Sequence, residues 1–376
     1  MIPTSGGQTR PILESGAPPA EATHAAFWRG KTVLITGGTG SFGKEFTRQL
    51  LARYDIRALR IYSRDELKQY EMSRAFQDDR LRFLLGDVRD KERLFRALQG
   101  VDVVVHAAAL KQVPACEYNP FEAVKTNVLG AANVIDAAID AGVGRVLAIS
   151  TDKAANPVNL YGATKLCAEK LFVQGNAYRG ARDTRFSCTR YGNVLGSRGS
   201  VLPLFLAQRS QGALTITDRR MTRFWITLPD AVSFVMARIV EMRGGEIFVP
   251  KMAAARMTDF AAAVAPGCTI NEVGIRPGEK LHEILITEDE ARHTYDCGSF
   301  FIIEPEFEWF SRDGRPSYRP VPDGFRYSSE TAAQASLPQL QSLIGSVVGA
   351  DQLALAQALT PPWTAAAPVP APSGVS

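Results

Sequence analysis

The residues best suited to chemistry lie between positions 151 and 165. Tyr161 and Lys165 stand four residues apart, so on one helix face the ammonium lies beside the phenol. A neighbouring cation lowers a phenol's pKa and makes it a usable general base near neutral pH. Thr151 stands ten residues before Tyr161, just after the apolar run Arg145 to Ile149. Asp152 and Lys153 follow it directly, setting an acid and an amine side by side, the two groups that an elimination of water needs.

A second set suits phosphate binding. Gly37-Gly38-Thr39-Gly40-Ser41-Phe42-Gly43 follows the apolar run Val33-Leu34-Ile35 and precedes Phe46, Leu50 and Leu51 at helical spacing. Glycines between a first strand and a first helix allow a tight turn, bring backbone N–H groups close to a pyrophosphate, and let helix and sheet pack closely. At the end of the next apolar run an acidic residue would bind the ribose hydroxyls of NAD; Tyr62-Ser63-Arg64 stands there, with Lys68 one turn on. Ser63, Arg64 and Lys68 suit a 2′-phosphate and favour NADP over NAD, while Asp65 and Glu66 keep NAD open. Asp87, with Val88 after it, follows a third run and can accept from an adenine amino group.

The elements that must position these residues alternate regularly. Apolar runs at Val33 to Ile35, Leu59 to Tyr62, Leu81 to Leu85, Val101 to Val105 and Arg145 to Ile149 alternate with helical segments. That order predicts a doubly wound parallel sheet, an α/β Rossmann-like fold. The reading divides the chain into a disordered tail at 1–27, an NADP-binding domain at 28–190, and a smaller substrate lobe at 191–358 able to return strands to the main sheet. A disordered Pro/Ala tail at 359–376 ends it. Short strands are expected at Leu214 to Ile216 and Glu246 to Val249, and a helix at Asp230 to Glu241.

The composition excludes other classes. The net charge of +4 over 376 residues is too small and scattered for a nucleic-acid binder. Five widely spaced cysteines with no CxxC pair suggest neither a disulfide framework nor a metal site. No run of about 18 apolar residues predicts a membrane span, and the leading residues lack a signal-peptide core, so the expected location is the cytoplasm.

With TGGTGSFG at 36–43, HAAA at 106–109 and YGATK at 161–165, the chain resembles the extended short-chain dehydrogenases/reductases. The resemblance implies a triad of Thr151, Tyr161 and Lys165. Thr151 would orient the sugar hydroxyl that Tyr161 deprotonates, Lys165 would hold the nicotinamide ribose, Ala107 would lie near the nicotinamide, and Lys111 would lie near both the nicotinamide and the sugar and contact the substrate. Asp152-Lys153 then separates reactions, because 4-epimerisation needs only the triad. The stretches at 151–165, 190–205, 217–227 and 274–283 narrow the resemblance to the inverting UDP-N-acetylglucosamine 4,6-dehydratases that open pseudaminic acid synthesis. That group implies Lys153 as the C5 base, Asp152 as the C6 acid, and a homo-oligomer of up to six subunits. In the sugar-nucleotide site, Asn193, Arg198, Ser200 and Val201 would face the pyrophosphate and Thr215 the uracil. Arg219, Arg220, Arg223, Arg276 and Lys280 are candidate cations, Glu279 a further contact, and Phe224 and Trp225 packing surfaces. The rival readings are a dehydratase or epimerase of capsule or O-antigen synthesis, a nucleotide-sugar 4-epimerase, and a nonenzymatic dinucleotide sensor.

Overall fold

The computed structural model describes residues 20–348 except 198, 308 and 311–317; the 359–376 tail of the sequence reading lies outside these residues. Six parallel strands form the centre: β1 (Thr32–Thr36), β2 (Ala58–Ser63), β3 (Leu81–Leu85), β4 (Val103–His106), β5 (Arg145–Ile149) and β6 (Arg185–Thr189). They lie in the order β3-β2-β1-β4-β5-β6. β1 and β4 are buried along their whole length, as expected for strands covered by helices on both faces, which read as continuous apolar runs. The order reverses between β1 and β4, and a crevice opens at the carboxyl ends of the strands at such a point.

The helices follow from local signals. α2 (Ser41–Arg53) begins after Gly40, which offers no side-chain cap, so its first N–H groups lack a partner from that residue. α3 (Glu66–Ala75) is capped by Asp65, whose side chain accepts from Lys68 N, and α4 (Lys91–Leu98) by Asp90 in the same way. Asp65 is thereby a helix cap.

The amino terminus is more ordered than its composition predicts. Residues 20–27, assigned to a disordered tail, belong to α1 (Ala20–Trp28). Trp28 is fully buried and stacks on Tyr54 at 5.8 Å between ring centroids, while Phe27 lies under the Arg145 guanidinium at 4.4 Å. Two aromatic anchors outweigh the tail-like composition around them.

The later chain rejoins the main sheet. Ile247–Pro250 pairs parallel with β6, and Phe300–Ile303, Thr294–Asp296 and Arg319–Pro320 extend the sheet antiparallel. A second core forms around Phe205, Trp225 and Phe260, next to a three-stranded sheet of Asn193–Leu195, Thr222–Thr227 and Ala253–Arg256. Trp225 stacks on Phe260 at 4.0 Å and Phe224 packs on Tyr327, so both are core residues and not ligand surfaces. Among the described residues no helix is long and apolar enough to cross a membrane.

Candidate active site

A cavity of about 660 Å³ occupies the crevice. Its floor is where β1 and β4 end. The Thr36 hydroxyl accepts from Ala107 N and Ala108 N, each at 3.2 Å, and meets His106 Nδ1 at 2.9 Å. With its lone pairs so used, Thr36 donates its proton to the imidazole, which is therefore neutral. Burial pushes His106 down to about 3, with the Lys165 charge adding to it. Gly37 has φ 67 and a Cβ there would meet Ala108 N at 2.9 Å, so only glycine admits this approach. A Cβ on Gly43 would strike Gly38 O at 2.2 Å, which makes Gly43 the packing glycine of the turn.

Of the residues expected at a dinucleotide, Gly37, Thr39, Gly40, Ser41, Phe42, Ser63, Arg64, Lys68, Asp87, Val88, Ala107, Lys111, Tyr161 and Lys165 line this cavity, and Gly43 does not. Thr126 Oγ1 and Ser150 Oγ border the same space, and both are buried without a hydrogen-bond partner among the described residues. Buried polar groups require partners, so glycines that admit close approach and these two hydroxyls fit a nicotinamide dinucleotide. Arg64 is half exposed and reaches Asp87 at 3.4 Å, whereas Lys68 pairs with Asp65. Burial works to raise the Asp87 carboxyl, but hydrogen bonds from Arg89 outweigh it and hold the group below its ordinary value.

The proton-transfer residues come from two short segments in contact. Thr151 opens a turn at Asp152–Ala154, and the helix Leu160–Tyr178 starts at Asn159, whose side chain accepts from Gly162 N at 2.7 Å. A Cβ on Gly162 would meet Lys153 O at 2.2 Å, so this glycine lets the turn rest on the helix. The same helix is anchored from behind. Arg190, fully buried, donates to both oxygens of Glu169 at 3.0 and 2.6 Å and to both of Glu290 at 2.9 Å.

Thr151, Lys153, Tyr161 and Lys165 line the cavity. Asp152 does not: it is wholly buried and accepts from the Thr151 hydroxyl at 2.8 Å and from Lys153 Nζ at 3.0 Å. The expectation that Lys165 lowers the Tyr161 phenol is also corrected. Lys165 Nζ donates to Ile149 O at 2.7 Å; burial pushes Tyr161 up to about 12, opposed by the Lys153 charge and a Thr151 hydrogen bond. Burial also lowers Lys165 and Lys111.

Sequence reasoning missed Glu283. Its carboxylate lies 3.5 Å from Lys153 Nζ, so that amine bridges two buried carboxylates. Burial opposes the charge on Lys153, but Asp152 and Glu283 outweigh it and hold the amine protonated. Burial raises Asp152, with Glu283 adding to the effect. Glu283, opposed by burial, is held below its ordinary value by Lys153, Arg223 and Lys280. The signal available was the charged stretch at 274–283, which ends on this residue.

Of the expected substrate residues, Lys111 lines the cavity and five do not. Asn193 and Ser200 line it, with Gln112, Ser197 and Gly199, whereas Val201, Thr215, Arg223, Arg276 and Glu279 do not. Arg198 lies outside the described residues. Arg223 donates to the carbonyl oxygens of Thr222, Leu281 and Lys280, so its guanidinium fastens the chain around 280 and is not free to clamp a diphosphate. Thr215 bonds Gln208. Arg219 pairs with Glu272 and Arg220 with Asp218. Lys280 donates to Ala155 O at 2.7 Å, and Glu279 accepts from Arg276 N. His282 meets Thr222 through Nδ1 at 2.8 Å, a structural contact.

This chain is similar to known proteins. The profile of a family described as polysaccharide biosynthesis protein matches residues 33–305. A relative from Campylobacter jejuni subsp. jejuni serotype O:23/36 (strain 81-176), named UDP-N-acetylglucosamine 4,6-dehydratase (inverting), is 51% identical over 86% of this chain and 99% of its own. A protein of Rickettsia canadensis named UDP-glucose 4-epimerase is 44% identical over 73% of this chain and 82% of its own. Among solved structures, a dTDP-glucose 4,6-dehydratase from Streptomyces venezuelae with NAD bound is similar at a TM-score of 0.59 and 26% identity. It covers 66% of this chain and 86% of that one.

Proposed function

The chain belongs to the polysaccharide biosynthesis protein family within the extended short-chain dehydrogenases/reductases, and on that premise we propose that it is an inverting UDP-N-acetylglucosamine 4,6-dehydratase. The observation that carries this reading is Lys153, in the same cavity as Tyr161 and paired with Asp152 at 3.0 Å. Exchange of hydride at C4 alone has no use for that pair. A relative 51% identical over 86% of this chain and 99% of its own carries the same name.

A bound nicotinamide dinucleotide supplies the hydride acceptor at C4 and the hydride donor at C6. Tyr161 takes the proton of the C4 hydroxyl as the phenolate, the form that the Lys153 charge and the Thr151 hydrogen bond favour against burial, and Thr151 orients that hydroxyl. The resulting 4-keto group acidifies C5–H, so oxidation precedes elimination. Transfer of a proton from Lys153 to Asp152 leaves a neutral amine facing the sugar and a protonated carboxyl behind it. Lys153 then removes the C5 proton, and the proton held by Asp152 reaches the C6 hydroxyl by way of Lys153 as water departs. Return of a proton from solvent to the opposite face of C5 inverts that centre. NADP is the preferred cofactor on the strength of Arg64, whose exposed guanidinium suits a 2′-phosphate. On the same reading the protein is a cytoplasmic homo-oligomer whose product feeds pseudaminic acid synthesis.

The rickettsial relative keeps 4-epimerisation in view. One experiment separates the two: incubate the protein with UDP-N-acetylglucosamine in deuterated water and analyse the sugar. A dehydratase yields a sugar lighter by one water with deuterium at C5, and an epimerase retains the C6 hydroxyl.

A further inference from the structure

We propose that Glu283 is a positioning residue for the elimination: it holds Lys153 against Asp152 and remains the fixed anion, so that Asp152 is the carboxyl that carries the proton. This rests on the dehydratase reading above. Lys153 Nζ lies between Asp152 Oδ1 at 3.0 Å and Glu283 Oε1 at 3.5 Å, and the two carboxylates have different surroundings. Glu283 also faces Arg223 Nε at 3.8 Å and Lys280 Nζ at 3.8 Å. Among the described residues Asp152 pairs within 4 Å with Lys153 alone and accepts from the Thr151 hydroxyl on Oδ1, and its Oδ2, like Glu283 Oε2, is buried without a hydrogen-bond partner.

Three cations around one carboxylate and one around the other push their proton affinities apart, which is how two like groups come to hold different roles. The negative charge of Glu283 further disfavours ionised Asp152. Glu283 does not line the cavity, so it acts through Lys153 and does not touch the sugar. Its backbone is pinned on both sides, Glu283 N donating to Ser329 Oγ at 2.9 Å and Glu283 O accepting from Ser329 N at 2.8 Å. That fixes the carboxylate's position independently of the ion pairs. The other titratable groups facing this cluster are Tyr161, which feels Lys153, and Lys111, which does likewise.

The test follows single turnovers of the intact, cofactor-loaded protein with UDP-N-acetylglucosamine, measuring the 4-keto hexose and the dehydrated sugar separately by mass. Glu283→Gln is expected to form the 4-keto hexose at near the wild-type rate and to lose water about 10²-fold more slowly. Its elimination should also fail at lower pH than in wild type, because without the fixed anion Asp152 gives up its proton earlier. Glu283→Asp should restore part of both effects. Lys280→Met, which removes a cation from the cluster, should move the same alkaline limb upward, and it tests the proposal even if Glu283→Gln does not fold. Oxidation and elimination falling together with the limb unmoved in every variant, or wild-type elimination in Glu283→Gln, would overturn the proposal. A wild-type protein that releases no water would instead overturn the dehydratase reading itself.

Discussion

Thr36 and His106 show how single residues set the chemistry of the crevice. Because Thr36 accepts two backbone N–H groups, its hydroxyl proton is committed to His106 Nδ1, and a charged imidazole would face a donor. Burial, with the Lys165 charge adding to it, also pushes His106 down from 6.5 to about 3 in the folded chain. Between these values the unfolded chain binds one more proton than the folded one, so this contribution is complete above about 6.5 and is lost as pH falls toward 3. Urea melts across that window should show His106→Gln flattening the acid loss by about 1.4 kcal/mol per pH unit; an unchanged slope would mean the imidazole is not held neutral. At the cofactor end, Arg64→Ala should weaken NADP at least about ten-fold more than NAD, measured by fluorescence titration of each; equal losses would remove Arg64 from 2′-phosphate recognition. Thr151, Tyr161 and Lys165 were legible because spacing on a strand end and one helix determines their neighbourhood. Glu283 was not, since only the tertiary fold brings it to Lys153, and neither was the turn of Lys165 toward Ile149 O.

At the scale of elements, alternation of apolar runs with helical segments located all five of the strands expected in the first half, because strands of a buried parallel sheet are nearly uniform in hydrophobicity. The amino-terminal helix escaped notice since its alanines and polar residues read as tail, and its stability comes from packing. Trp28→Ala should destabilise the fold by about 3–5 kcal/mol, seen as a lower urea midpoint with an unchanged slope. A midpoint shift near zero would mean α1 is not part of the folding unit. The lobe cations misled for a related reason: each arginine is compatible with a ligand in isolation, but Arg219 and Arg220 have acidic neighbours and Arg223 is buried among carbonyl oxygens.

For the whole molecule, the reversal of strand order between β1 and β4 places the glycine turn, the Thr36 floor and the β5 segment around one cavity. The return of Ile247–Pro250 and its antiparallel neighbours ties the later chain to the same sheet, and the segment at 280–283 reaches back to the 151–155 turn through Lys280 and Glu283. Dinucleotide cradle and acid–base cluster thus border one cavity, which oxidation at C4 and elimination at C5 and C6 must share. The direct test is the fate of C5 when UDP-N-acetylglucosamine is turned over in deuterated water. The account predicts a 4-keto sugar that has lost one water, carries deuterium at C5 and has that centre inverted. A product that keeps its C6 hydroxyl, or one with hydrogen and configuration unchanged at C5, would contradict it.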